Sequence, residues 1–351
     1  MAKALEAFDR WAERGPFRAR DLAVFRIMFA LAVLLILPRV TPVAGRPDSF
    51  LSPPPGPFEL IHAVPSEGLL LVLTALLTVA AASLCLGLFT TFSSLALSGL
   101  ILITLGVEYS FGGLEHTIFL VLAPLVMAFS GWGRHWSLDS LRTDTTDGDE
   151  PQWPLRLLAA GMGVAFVGAA IPKIQTGWLD LSTHAVQGFV LRLGTDGHAV
   201  PMESLLDATP GWTWEILDLA TVALELLVVV TVLHWPSFRV ALAVLCTFHL
   251  GVLIWLDISF WQNVVAYGAF VSWTATPDIV RAAGRWLRAD RWHLGLGSLL
   301  AIGMVATGTY ACRLAATSYG LDGVVTALGG LIGIGYLVAL VSRRARTWSP
   351  A

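Results

Sequence analysis

Apolar runs close to the length of a membrane-spanning helix recur along the whole chain, broken by short polar turns, and this rhythm sets the fold class. A helix rises about 1.5 Å per residue, so each run matches a bilayer hydrocarbon core of roughly 30 Å. The pattern predicts spans at 21–40, 68–89, 92–110, 114–131, 155–172, 212–234, 238–256, 258–274, 294–312 and 323–341. The expected fold is all-α, a polytopic transmembrane helical bundle of about ten spans with eight as the lower bound, because backbone polar groups in lipid must be satisfied inside helices. Residues 1–20 follow another pattern. Leu5, Phe8 and Trp11 fall at helical spacing among Lys3, Arg10 and Arg14, which predicts a short helix lying on the membrane surface. A cleavable signal peptide is not expected, since a long charged stretch precedes a span of full length.

Three segments of the chain are expected from this reading: an interfacial amphipathic helix over 1–20, a transmembrane core over 21–280, and two additional transmembrane helices with a basic tail over 281–351. The proline-rich stretch 41–67 and the polar stretch 174–211 are read as loops. So is 132–154, whose acidic run of Asp144, Asp147, Asp149 and Glu150 is expected to be solvated.

Composition agrees with the rhythm, since 56% of residues are apolar and 13% charged. Cys85, Cys246 and Cys312 lie far apart without a CxxC pair and read as small core residues. With the N-terminus cytoplasmic and ten spans, sixteen Arg and Lys residues fall in inner segments and five in outer ones, with Arg26 left inside a span. That asymmetry follows the positive-inside rule and predicts a multi-pass protein of the inner (plasma) membrane. Most of the fourteen tryptophans, with Trp132, Trp136, Trp212, Trp214 and Trp273 near span ends, are read as an interface belt. Membrane lipids are expected partners, and nucleic acid is not.

Candidate chemistry lies in the charges that interrupt the spans. Lys173, one of two lysines in the chain, ends the apolar stretch 161–172. A lysine at a helix centre costs about 2.5–3.5 kcal/mol on insertion scales. Two readings stand: a side chain snorkelling from a helix end, or a functional group. The predicted topology puts Lys173, Glu115, His116, His249 and Asp257 at a similar depth in the outer half of the bilayer, which favours the second reading. His249 can equally be an interhelical hydrogen-bonder, and His116 a residue at a helix start. Arg26 and Glu225 are read as a buried charge pair or network, and Asp218 as a further buried structural polar group. No metal site is predicted, because His184 and His198 lie fourteen residues apart without helical ligand spacing. Phosphate loops, GxSxG elbows and dinucleotide fingerprints are absent from the sequence.

The succession DLAVFRIMFALAVLL (21–35), GGLEHTIFLVLAPL (112–125), HWSLDSL (135–141), KIQTGW (173–178), EILDLATVALELL (215–227) and FHLGVLIWLDISF (248–260) resembles the vitamin K-dependent γ-glutamyl carboxylase superfamily, in particular its bacterial branch, the horizontally transferred transmembrane domain (HTTM) family. The resemblance runs over roughly 20–280 and rests on the Arg in span one, the His before span four, W-S-x-D, K-x4-W and F-H in the family's order. It implies chemistry on a reduced quinone, vitamin K hydroquinone or menaquinol. In the carboxylase a lysine matching Lys173 deprotonates the hydroquinone, oxygen adds, and the resulting strong base removes a γ-proton from a glutamate that then captures carbon dioxide. Lys173 would thus be the base, with His116 and His249 assisting and Glu115, Trp178 and Asp257 holding substrate or cofactor. An apolar pocket disfavours a lysine's charged form, which suits this role.

Two departures limit what carries over. The chain has no soluble stretch long enough to be the carboxylases' lumenal substrate-binding domain, and apolar Val252 and Leu253 stand where the carboxylases place polar residues after F-H. The expected function is a membrane enzyme using a reduced quinone and oxygen, with carbon dioxide and a peptide or other glutamate-containing substrate if it is a true carboxylase, a lyase. The alternative is a non-catalytic quinone- or lipid-binding accessory protein that assists maturation or export of a peptide. A transporter ranks third, because no internal repeat is evident.

Overall fold

The computed structural model describes residues 2–36, 43–112, 117–141, 150–196, 201–275 and 320–347. All regular structure among them is helical: α1 (Ala2–Glu13), α2 (Ala19–Ile36), α3 (Glu67–Leu86), α4 (Thr90–Tyr109), α5 (Ile118–Met127), α6 (Trp153–Gln175), α7 (Ala185–Thr195), α8 (Gly211–Thr231), α9 (Trp235–Leu256), α10 (Trp261–Tyr267) and α11 (Leu321–Thr347). Five helices are long and apolar enough to cross a membrane, namely α3, α4, α6, α9 and the stretch Leu321–Ser342 of α11. This is the signature of a multi-pass membrane protein. The helices α2 and α8 have 18 and 21 residues but carry charges, Arg20, Asp21 and Arg26 in one and Glu215, Asp218 and Glu225 in the other.

Several elements depart from the spans read in the sequence. The apolar stretch after residue 117 gives an α-helix of only ten residues, with Pro124 inside it, before the chain turns. Residues 258–274 are broken into the seven-residue α10 and two 3-10 turns, 268–270 and 273–275. The expected span at 294–312 lies outside the described residues.

The chain divides into two compact units, Met1–Leu158 with Val265–Thr274, and Ala159–Val264 with Ala275–Ala351. In the first, α3 packs between α2 and α4, and α4 against α5. The buried face of α2 carries Leu22, Phe25 and Phe29. Phe25 and Phe29 pack on Trp132, with ring centroids 5.8 and 6.4 Å away. Trp132 is fully buried and its indole N–H donates to Ser94 Oγ at 3.2 Å, so it is a core residue and not part of an interface belt.

Between Phe25 and Phe29 on the same helix sits Arg26, with no exposed surface. Its guanidinium donates to the carbonyls of Trp132 at 2.8 Å, His135 at 3.2 Å and Trp136. These carbonyls follow the end of α5, and the arginine satisfies them as a cationic cap. Asp139 does the complementary work at the start of α4. Its carboxylate accepts the amides of Phe89 at 2.9 Å and Thr90 at 2.7 Å, and the Thr90 hydroxyl at 2.7 Å, where the helix has no side-chain cap of its own. Gly87, in the left-handed region at φ 67°, lets Ser137 and the Arg26 guanidinium lie against the backbone where a Cβ would stand. Asp21 closes the unit by accepting the amide and hydroxyl of Thr274 at 2.7 and 2.8 Å.

Glu150 was expected to be solvated, but it is buried and bonded to Arg134 at 3.2 Å. A carboxylate packed against Gly131 needs such a cation. The surface helix α1 is tethered by Trp11, whose ring lies 4.4 Å beneath the Arg156 guanidinium, and it exposes Leu5 and Phe8.

In the second unit α8 packs on α7 and α9, and α9 on α11. The contact of α9 with α11 is close because Gly330 and Gly333 lie directly on Leu250 and on Ala243 with Cys246. A similar approach joins α6 to α8, since a Cβ on Gly163 would stand 3.1 Å from the Val229 Cα. Within the expected loop 174–211 the chain forms α7. Its apolar Val186 and Val190, four residues apart, bury against the fully buried Trp214, with Trp178 and Leu256 packed around them. Trp214, like Trp132, is core.

Candidate functional site

The site is built at the end of α6. That helix terminates in a Schellman arrangement: Gly177 takes φ 89°, Trp178 N–H donates to the Lys173 carbonyl at 3.1 Å and Gly177 N–H to the Ile174 carbonyl at 3.5 Å. The motif sets Lys173 and Trp178 against each other as the two residues that close such a terminus. The amine lies 5.6 Å from the centre of the Trp178 ring. The spacing K-x4-W therefore has a direct physical meaning.

Helix side chains lean toward their N-terminus, and Lys173 follows this rule. Its Nζ donates to the Ala169 carbonyl, one turn back, at 3.3 Å and to Glu225 Oε1 at 2.7 Å. The amine is thus directed back along α6 and not out past its end. The side chains of Lys173 and Glu225 retain 22% and 11% of their exposure. Glu225 Oε2 is buried and accepts no hydrogen bond among the described residues.

Arg26 and Glu225, read in the sequence as a buried charge pair or network, each have partners within their own unit. Arg26 donates to three backbone carbonyls, which gives its guanidinium a fixed place in the fold, and Glu225 Oε1 accepts from Lys173.

Glu215 and Asp218 lie on the same face of α8 as Glu225, at helical spacings of three and seven residues. Asp218, fully buried, accepts the amides of Ala185 and Val186 at 2.6 and 2.8 Å and so caps α7. Glu215 lies 3.2 Å from His184 Nε2. His184 itself has φ 48°, and its ring rests on Gly211, where a Cβ would stand 3.2 Å from its Cε1. Past Trp178 the chain turns at Asp180. Its carboxylate accepts the Ser182 hydroxyl at 2.8 Å and amide at 3.1 Å, and these bonds hold it below the ordinary carboxylate range.

The other expected site residues are placed as follows. His249 on α9 is 2% exposed, and its ring stacks on Phe260 at 4.4 Å and 17°. Asp257 is exposed, ends α9 at φ 59°, and its amide donates to the Leu253 carbonyl at 3.2 Å. Glu115 and His116 lie outside the described residues. The structure thus brings Lys173 and Trp178 together and adds Glu225, and it places His249 and Asp257 on α9 and at its C-terminal end. Sequence reasoning missed the partner of Lys173 and the His184–Glu215 pair. The signal for both was the common face of the three α8 acids.

The architecture and these groups define a class, a multi-pass α-helical membrane protein with a half-buried amine–carboxylate pair beside an aromatic wall. The HTTM domain matches residues 15–271, and the chain belongs to the HTTM family, whose domain is shared with vitamin K-dependent γ-carboxylase. Neither a curated protein nor a solved structure matches the chain.

Proposed function

We propose that this protein is an integral membrane enzyme that uses a reduced quinone, menaquinol or vitamin K hydroquinone, and oxygen, with Lys173 as the base. Its core would be 21–280, flanked by the interfacial 1–20 and by two further helices within 281–351. The chain would cross the inner (plasma) membrane about ten times from a cytoplasmic N-terminus. Carbon dioxide and a glutamate-containing peptide are the further substrates in the carboxylase form of this reading.

One observation carries the proposal. The amine of Lys173 is drawn back into the apolar segment, 2.7 Å from a buried carboxylate and beside the face of Trp178. Membership of a family whose domain is shared with the carboxylase gives it direction. The residues fit a hydroquinone: an aromatic wall for a ring, and for its hydroxyl an amine that is itself held by a carboxylate. A bound hydroquinone would supply the reducing electrons. The chain's own part is to orient it against Trp178 and to receive its hydroxyl proton at Lys173 Nζ. His116 and His249 would assist, and Glu115 and Asp257 would contribute to binding.

The test is turnover of menaquinol with labelled bicarbonate by the purified full-length protein. Epoxide or labelled carboxylate is expected from wild type, and Lys173→Ala should lose about 10²-fold or more. Turnover unchanged in that variant removes Lys173 from the mechanism.

The ion pair also favours a second reading, since a lysine held by a carboxylate can be a purely structural link between α6 and α8. The protein would then be a non-catalytic quinone- or lipid-binding accessory protein for maturation or export of a peptide. It would bind menaquinol without turning it over.

A further inference from the structure

We infer that Glu225 is the proton acceptor that turns Lys173 into a neutral amine, acting as a positioning residue through that lysine; the inference rests on the reading of Lys173 as base. A base must begin each cycle with an unshared electron pair, and Lys173 lies in an ion pair with Glu225 at 2.7 Å. Transfer along that contact breaks one N–H bond, leaves its electron pair on nitrogen and forms one O–H bond on the carboxylate. An ammonium and a carboxylate become an amine and a carboxylic acid, and the net charge of the pair is unchanged. Expelling the proton to water instead would leave an unpaired buried carboxylate, the costlier state in a low-dielectric segment. The amine then takes the substrate's hydroxyl proton, and Glu225 later returns its own to water.

The neighbouring groups single out this acid. Glu225 is the one charged side chain within ion-pairing distance of Nζ among the described residues. Of the other two acids on this face of α8, Asp218 has both oxygens engaged by the α7 amides, and Glu215 faces His184 at 3.2 Å. Both oxygens of Asp218 are structural acceptors, whereas Oε2 of Glu225 is buried and unpartnered among the described residues. Close packing of Gly163 on Val229, one turn of α8 from Glu225, holds the two helices at the distance the transfer needs.

The chain has only two lysines, and this supplies a readout independent of activity. The purified full-length protein in detergent would be reductively methylated with formaldehyde and cyanoborohydride at one alkaline pH. Mass spectrometry would give modification of Lys173 relative to Lys3, which is exposed on α1. Glu225→Gln keeps the shape and the contact but removes the negative charge that holds the resting ammonium, so the Lys173:Lys3 ratio should rise about tenfold. In the same protein no acceptor remains to carry each cycle's proton from Lys173 on to water, so kcat with menaquinol should fall about tenfold or more while KM stays near wild type. Glu225→Asp should restore both values and, with a monodisperse elution profile, exclude a folding defect.

A freer amine with lower turnover is the signature of a lost proton acceptor. An unchanged labelling ratio overturns the inference, as does a raised ratio with turnover retained, which would leave Glu225 a mere counter-charge. Full turnover by Lys173→Ala, or none by wild type, overturns the base reading itself and the acceptor role with it.

Discussion

Arg26 in the first unit and Lys173 in the second are both cations in apolar helices, and they are held in opposite ways. Arg26 gives its donors to three main-chain carbonyls after α5, so its charge is fixed by the fold. Lys173 gives its shortest contact to another side chain, Glu225, whose second oxygen has no partner among the described residues. Carboxylates divide the same way. Asp139 and Asp218 saturate helix N-termini, whereas Glu225 faces a group with which it can exchange a proton. A buried charge engaged by backbone stabilises one conformation, and a buried charge engaged by a titratable partner retains two protonation arrangements.

The contrast breaks first at Arg26. Arg26→Met should cost about 3–5 kcal/mol by stranding three carbonyls, enough to prevent accumulation of folded protein, read by thermal unfolding in detergent. A melting temperature near wild type would refute the clamp. Asp139→Ala should lower stability by about 1–2 kcal/mol through loss of the α4 cap, with less effect in Asp139→Asn, measured in the same assay.

On the other side of the comparison, replacing both partners, Lys173→Met with Glu225→Leu, should change stability by less than about 1 kcal/mol while abolishing turnover. Lys173→Met alone should be the less stable protein, since it leaves the acid unpaired. The smallest effect is expected at Asp180, outside the spans. Its lowered pKa means that its contribution is present above the unfolded carboxylate value of about 3.9 and fades as pH falls through the folded one. Ser182→Ala should return Asp180 toward the ordinary value, visible as a flatter acid limb in melting temperature against pH.

Much of this was readable from local rules. Asp139 in W-S-x-D is the exception, because the helix start it caps lies 49 residues earlier in the chain. K-x4-W with Gly177 between is a helix terminus that puts an aromatic ring on a lysine. In contrast, α7 was hidden in an apparently polar loop because only Val186 and Val190 of its eleven residues are buried, with Leu193 packed beside them. It is a helix chiefly because Trp214 covers those residues and Asp218 caps its start. Trp132 and Trp214 likewise looked like interface residues, as composition does not tell a ring at a helix end from a ring turned inward.

By itself the sequence determined the membrane class, the positions of most long helices and the local geometry that joins Lys173 to Trp178, because hydrophobic length and helix capping act within a few turns of one chain segment. Only the tertiary structure decided which acid meets which base. Lys173 and Glu225 are 52 residues apart. Their pairing depends on how closely Gly163 lets α6 approach α8. Coulomb attraction falls with separation in space and is blind to separation along the chain, so the partner of a buried charge is settled only when helices pack.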